Sequence, residues 1–307
     1  MLLTAYTLPL NILQLIIHLK CTYFKWVNFK EFTQLKIMEE NKPYYYFKQK
    51  NYETGLFQEV DATYIIHLLG NGRLSNIEQQ LEKNHPTRIV YIVENQGYCQ
   101  KSLPEHKPAY DLTDAFLQTF KHARKHHYNN ILVLEDDFFF RSDIQKECHE
   151  IDEFLKTNSA FIYYLGVIPW IQTLGFSHNR LYLSTGMHAC IYSKQLRDHV
   201  LEYKQSDIID WDLFHNSMYS RYTFYRPLCY QLFTPTENSK QWYNPMRLGD
   251  VVKLVFSITG VNKKAEPGYT IHYIFSKFIF LCILLFCLKQ FVRLGNRCIM
   301  RFSQCLF

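Results

Sequence analysis

The chain has 307 residues, 48% hydrophobic and 17% aromatic, with 34 basic residues against 28 acidic ones for a net charge of +6. That composition allows one large domain or two small ones around a substantial core, and it excludes intrinsic disorder. Only 11 Gly and 10 Pro exclude a collagen-like or linker-like chain, scattered charge argues against a multi-pass membrane protein, and +6 is too mild to imply nucleic acid.

Residues 2–19 are apolar but broken by Pro9, Asn11 and Gln14, with no basic residue before them. They fit a buried or interfacial helix at least as well as a secretory signal. Residues 20–57 are rich in Lys, Tyr and Phe without a clean period, and residues 1–57 are set apart as an N-terminal extension. From Val60 the pattern changes. Ala62 to Leu69 is a β-branched and aromatic run ended by Gly70-Asn71-Gly72, which predicts a strand and a turn. Leu74, Ile77 and Leu81 repeat at helical spacing, and Arg88 to Val93 is a second strand. Leu112, Phe116, Phe120 and Ala123 predict a helix begun at Asp111 or Thr113. Ile131 to Leu134 is a third strand, a helix is expected near residues 143–156, and Ala160 to Leu165 is a further strand. Strands alternating with helices predict a three-layer α/β domain over residues 58–245, its sheet mainly parallel but mixed in the second half. Ligands of such sheets bind at the carboxyl ends of the strands.

The C-terminal part, residues 246–307, carries the greasiest stretch. Residues 271–288 hold one full charge, Lys277, and are followed by Lys289, Arg293, Arg297 and Arg301 with no acid among them. A membrane helix with a basic tail is expected, a packed core helix being the alternative. The positive-inside rule would keep that tail cytoplasmic. The nine cysteines form no CxxC pair, so neither a structural zinc site nor a disulfide framework is expected; Cys282, Cys287, Cys298 and Cys305 cluster near the apolar stretch.

The most informative segment is Ile131-Leu132-Val133-Leu134-Glu135-Asp136-Asp137. A four-residue apolar strand delivers three carboxylates to its carboxyl end. Adjacent acids repel one another, so a buried site made of them calls for a cation, and oxygen ligands favour Mg²⁺ or Mn²⁺. The alternative is a solvated acidic loop. A response-regulator receiver also ends a strand in paired acids, but there the acidic strand opens the domain and a later strand ends in Asp. Here two strand–helix units come first, and Ala160 to Leu165 runs into Gly166-Val167.

In this context the chain resembles GT-A-type glycosyltransferases, and within them glycosyltransferase family 25, which includes lipooligosaccharide and collagen galactosyltransferases. Four features carry the resemblance across about residues 60–235. They are a first strand with Arg73 shortly after it; a helix leading into Asn129-Asn130-Ile131-Leu132-Val133-Leu134-Glu135-Asp136-Asp137; the small-residue turn and strand from Ser184 to Ser193; and the Asp210-Trp211 segment. The first strand departs from the family in ending His67-Leu68-Leu69, so acceptor specificity is not carried over.

The resemblance implies a GT-A-like sandwich, a nucleotide-diphosphate sugar as donor, possession of Mn²⁺ or Mg²⁺, and inversion at the sugar carbon. It implies that Asp137, with Asp136, binds the metal, and that Glu135, Asp136, Arg73 and His67 serve the donor. His188 and His215 are candidates for a further metal ligand. A single displacement needs a general base at the acceptor hydroxyl; Asp210 is the first candidate and Asp212 the alternate, with a helix cap as the other reading of Asp210. Partners would be the donor, a protein, lipid or glycan acceptor, and a membrane, with no nucleic acid. Trp170, Trp211 and Trp242 could stack on sugars, although core packing suits them better. His122, His126 and His127, among Lys121, Arg124 and Lys125, read as a solvated helix face. A metal-dependent nuclease or phosphoryl-transfer enzyme would also gather carboxylates, usually more than Asp210 and Asp212 add here. A non-catalytic module would keep the fold without turnover.

Overall fold

The structure, a computed structural model, describes residues 44–208, 210–218, 220–231 and 248–304. The apolar stretch at residues 2–19, Trp242 and Cys305 lie outside the described residues, as do the side chains of Arg297, Cys298 and Arg301. The chain divides into two compact units, one holding the described residues up to Phe278 and the other those from Ile279 on.

The first unit is built on a seven-stranded sheet in the order β1-β3-β2-β4-β7-β6-β8. Its strands are β1 (Tyr45–Asn51), β2 (Ala62–Leu68), β3 (Ile89–Asn95), β4 (Asn130–Glu135), β6 (Ile162–Gln172), β7 (His178–Ser193) and β8 (Arg221–Phe224). β3, β2 and β4 pair in parallel, β6 and β8 pair in parallel, and β1 and β7 run against their neighbours. A two-stranded sheet, β5 (Phe138–Phe140) with β9 (Cys229–Gln231), stands beside it.

Period-two alternation decides the layering. Tyr64, Ile66, Ile131, Val133, Ile162, Tyr164, Cys190 and Tyr192 face one core with helices α2 (Pro108–Lys125), α4 (Lys194–Val200) and α5 (Trp211–Asn216). Ile65, Leu132, Leu134, Tyr163, Leu165 and Ile191 face the other, under α1 (Leu74–Lys83) and α3 (Cys148–Thr157). The result is the three-layer α/β sandwich with a mixed sheet that the sequence predicts. Both faces of the central strands are buried, which is why those strands read as continuous apolar runs.

Several boundaries differ from expectation for identifiable reasons. The extension expected over residues 1–57 contains an edge strand, β1, paired antiparallel with β3; its alternation is masked because exposed Tyr46 shares the strand with half-buried Tyr45 and Phe47. The second helix begins at Pro108, not at Asp111 or Thr113, since proline suits the first helical turn. A 3₁₀ turn (Ile144–Lys146) precedes α3, so regular helix starts later than residue 143. β6 runs on past Leu165 to Gln172, because Gly166 admits His188 of β7: a Cβ at Gly166 would lie 2.2 Å from His188 Nε2 and 2.7 Å from the Cys229 carbonyl oxygen.

The domain also continues past residue 245. Helix α6 (Leu248–Thr259) and the first turns of α7 (Ala265–Gln304) pack onto it, burying Phe256, Val261 and Tyr269 with Ile168 and Tyr230. The side-chain amide of Gln172 on β6 donates to the Tyr273 carbonyl (3.0 Å) and to Ser276 Oγ (2.7 Å). Ala265–Leu294 form a helix that is long and apolar enough to cross a membrane, with 17% of its most apolar stretch buried. Its residues from Ile279 on expose Leu285, Leu288, Phe291 and Val292.

Candidate functional site

β2 and β4 are adjacent and parallel, so their carboxyl ends open side by side. The turn after β2 is built from Gly70 (φ 81°) and Gly72 (φ 76°), left-handed positions that glycine takes without strain. It swings Asn71 and Arg73 over the end of β4. There Asp136 is enclosed: one oxygen accepts from Asn71 Nδ2 (2.6 Å), the Leu68 backbone N–H (3.1 Å) and His67 Nδ1 (3.2 Å). Its other oxygen accepts from Arg73 Nη1 (2.7 Å). These donors outweigh burial and hold its carboxyl below the ordinary aspartate range. Asp136 is therefore a fixed hub that ties the β2 turn to β4. His67 is one of the partners that hold it.

Asp137 is in a different condition. One oxygen accepts from Arg73 Nη1 (3.1 Å) and Gln231 Nε2 (3.3 Å), while Oδ1 is buried with no hydrogen-bond partner. The residue is 1% exposed, and burial pushes its carboxyl up to about 6, with Arg73 pulling the other way. Glu135, half-buried beside it, is raised by burial and then by the charges of Asp137, Asp212 and Asp136. Gln231 Nε2 lies 3.5 Å from its carboxylate.

Asp212 stands close enough for its charge to raise Glu135. Helix α5 presents it toward β7, where it accepts from the backbone N–H groups of Gly186 (2.7 Å) and Met187 (3.4 Å). Burial and the charge of Asp210 push it up to about 7. Asp210 instead caps α5, accepting from the Leu213 N–H at 2.9 Å, as the helix-cap reading expects. Arg73 and Gln231 contact Asp137, Gln231 also reaches Glu135, and Asp212 acts on Glu135 through its charge; these residues lie up to 158 positions apart in the chain.

The two histidines stand outside this group. His188 has Nδ1 2.9 Å from the Gly186 carbonyl and Nε2 3.2 Å from the Cys229 carbonyl. A backbone carbonyl oxygen stands against each ring nitrogen, and burial lowers its pKa to about 4. His215 is fully buried between Tyr192 Oη (3.3 Å) and Met187 Sδ (3.1 Å). Trp211 is core, stacked on Phe116 at 4.5 Å, and Trp170 donates to Thr185 Oγ1 at 3.0 Å. His122 corrects the solvated-face reading in part: it stacks on Phe47 at 4.1 Å, whereas Lys121, Arg124, Lys125, His126 and His127 are exposed. The six cysteines whose side chains are described are all free.

Sequence reasoning missed three contributors. Asn71 was visible only as the middle of a turn. Gln231 and Tyr269 carry no local signal; Tyr269 Oη accepts from the Gln231 backbone N–H at 3.2 Å and so fixes the residue that reaches Glu135 and Asp137.

Among the described residues no three His, Cys, Asp or Glu side chains form a ready metal cage. The chemistry on offer is instead a buried carboxylate with one unpartnered oxygen, a neighbouring glutamate, a guanidinium and a further carboxylate, Asp212, that burial pushes up to about 7.

No protein-family model and no curated protein matches the sequence. Among solved structures the chain is similar to the STIV protein A197, at 14% identity over 58% of this chain and 87% of that one, with a TM-score of 0.35. It is also similar to a glycosyltransferase involved in the glycosylation of the major capsid of PBCV-1, at 8% identity over 59% and 96%, with a TM-score of 0.33. At that distance, the functional reading rests on the site's own residues.

Proposed function

We propose that the protein is a divalent-metal-dependent glycosyltransferase that uses a nucleotide-diphosphate sugar and inverts the transferred sugar. The observation that carries this reading is Asp137 Oδ1, a buried carboxylate oxygen with no partner, beside Glu135 and opposite Arg73. Leaving such an oxygen bare is costly unless a ligand satisfies it. Mg²⁺ and Mn²⁺ are often held by one or two carboxylates together with substrate phosphates and water, so a donor set smaller than a full cage suits them. Asp137 and Glu135 would hold the ion, which supplies charge to stabilise a leaving diphosphate. Arg73 binds the diphosphate from the β2 side, where its largely buried guanidinium contacts both Asp136 and Asp137.

Asp212 is the general base in this reading. A base is most effective when its pKa lies near the working pH, and burial with the Asp210 charge brings Asp212 to about 7. The N–H groups of Gly186 and Met187 orient its carboxylate, leaving it to take a proton from an acceptor hydroxyl. The sugar and the acceptor, whether protein, lipid or glycan, follow from neither feature.

Calorimetry of UDP- and GDP-sugar binding in the presence of Mn²⁺ tests the reading. Asp137→Ala should abolish the metal-dependent part of binding while the fold persists. Unchanged binding in that variant would remove Asp137 from the site and the proposal with it.

A further inference from the structure

The helix α6 has two faces. Phe256 is buried against the domain, whereas Val251, Leu254 and Ile258, one helical turn apart, are 55%, 60% and 75% exposed. Three large aliphatic side chains in a row on an ordered helix signal a contact surface. Next to α6 lies the distal end of the β6–β7 hairpin. His272 of α7 packs edge-on against both Phe256 of α6 and Trp170 of β6, so the three elements are neighbours. Beyond Gln172 the hairpin tip carries Leu174, 44% exposed, and Phe176, 96% exposed. An almost fully exposed phenylalanine at a tight tip has no role in the fold.

We propose that this face, α6 together with the hairpin tip, docks on the surface of an anionic lipid bilayer, with α6 lying in the interfacial layer. The inference rests on the reading of Ala265–Leu294 as a membrane helix. Two further features choose lipid as the occupant. The chain passes from α6 to that helix in five residues, so the apolar face is tethered near any membrane the helix enters. Exposed Lys253 on α6 and exposed Lys263 and Lys264 in the turn after it bring three positive charges to this region against exposed Asp250 and half-buried Glu266, a balance that suits anionic headgroups. A second copy of the chain fits less well, because pairing like faces would bring the lysines together.

The full chain reconstituted into phosphatidylcholine–phosphatidylserine vesicles tests this. Phe176→Trp and Ile258→Trp each place a reporter on the face, read as added emission over the wild type. Bromines at shallow acyl positions should quench both reporters, with a loss of quenching when phosphatidylserine is omitted. Leu254→Asp with Ile258→Asp should abolish quenching of the Phe176→Trp reporter while the protein still floats with the vesicles. Both positions are exposed, so folding is expected to persist. Unquenched reporters on a floating protein would overturn the docking and leave the membrane helix standing; cross-linked dimers through this face would do the same. Failure of the wild type to float would overturn both.

Discussion

Asp210 and Asp212 stand two positions apart, yet the fold gives them different parts. Asp210 caps α5 and Asp212 faces the site. Asp212→Asn keeps an oxygen for the Gly186 N–H but cannot take a proton. It should cut transfer about 10²- to 10⁴-fold while donor affinity holds. Asp210→Asn preserves a good cap and should leave turnover within about tenfold of wild type, while Asp210→Ala should cost about 1 kcal/mol of stability. Initial rates with donor titrations separate these cases, and equal losses in both Asn variants would remove the distinction. The carboxylates also fix a pH dependence. Asp137 and Asp212 are raised to about 6 and about 7, and Glu135 is raised as well. The unfolded chain releases these protons first, near pH 4. Without metal, these three groups therefore contribute stability that is fully present below that pH and is lost as pH climbs through 6 and 7, while buried histidines such as His188, lowered to about 4, contribute in the opposite sense. Mn²⁺ should stabilise most at the upper end, where the ligands are ionised. Thermal midpoints of the wild type and of Asp137→Asn, measured under chelator from pH 4 to 8, check the sign, because their difference cancels the histidines: the wild type should lose ground to the variant as pH rises, and a wild type that gains on it would contradict the argument.

At the scale of elements, Gly166 marks the closest approach in the sheet. Gly166→Ala would drive a methyl group into the His188 ring and the Cys229 carbonyl, and the carbonyl belongs to backbone that cannot swing aside. Overpacking of this kind costs about 1–3 kcal/mol, readable as a fall in denaturant midpoint. Because Cys229 begins the strand that ends in Gln231, the same change should weaken metal-dependent donor binding. The elements that the sequence displays most clearly are those whose apolar period is local: β2, β3, β4, α1 and α2. The acidic triplet is legible for the same reason, as it ends a short apolar strand. What stays hidden is set by distant pairing. Gln231 meets Glu135 across 96 positions, and α6 and α7 complete a core begun at Ile168. The choice between Asp210 and Asp212 turns on which one points at Gly186, and spacing cannot reveal that.

For the whole molecule, the C-terminal helix does more than follow the domain. Tyr269 braces Gln231, and the Tyr273 hydroxyl and Thr223 Oγ1 lie 2.9 Å apart. The start of a helix apolar enough to cross a membrane is thus one side chain from the carboxylates. Tyr269→Phe removes the acceptor for the Gln231 N–H and keeps the ring, so it should loosen donor binding with little loss of stability. The central claim is that these carboxylates bind a nucleotide sugar through a divalent ion. The most direct measurement is the thermal midpoint of the full chain in detergent across a panel of UDP- and GDP-sugars, with Mn²⁺ and with chelator. A donor at about 100 times its Kd should stabilise by about 2.7 kcal/mol. The account predicts a shift specific to one donor class, dependent on Mn²⁺ and lost in Asp137→Ala. A folded protein that shifts with no nucleotide sugar, or shifts equally under chelator, would contradict it.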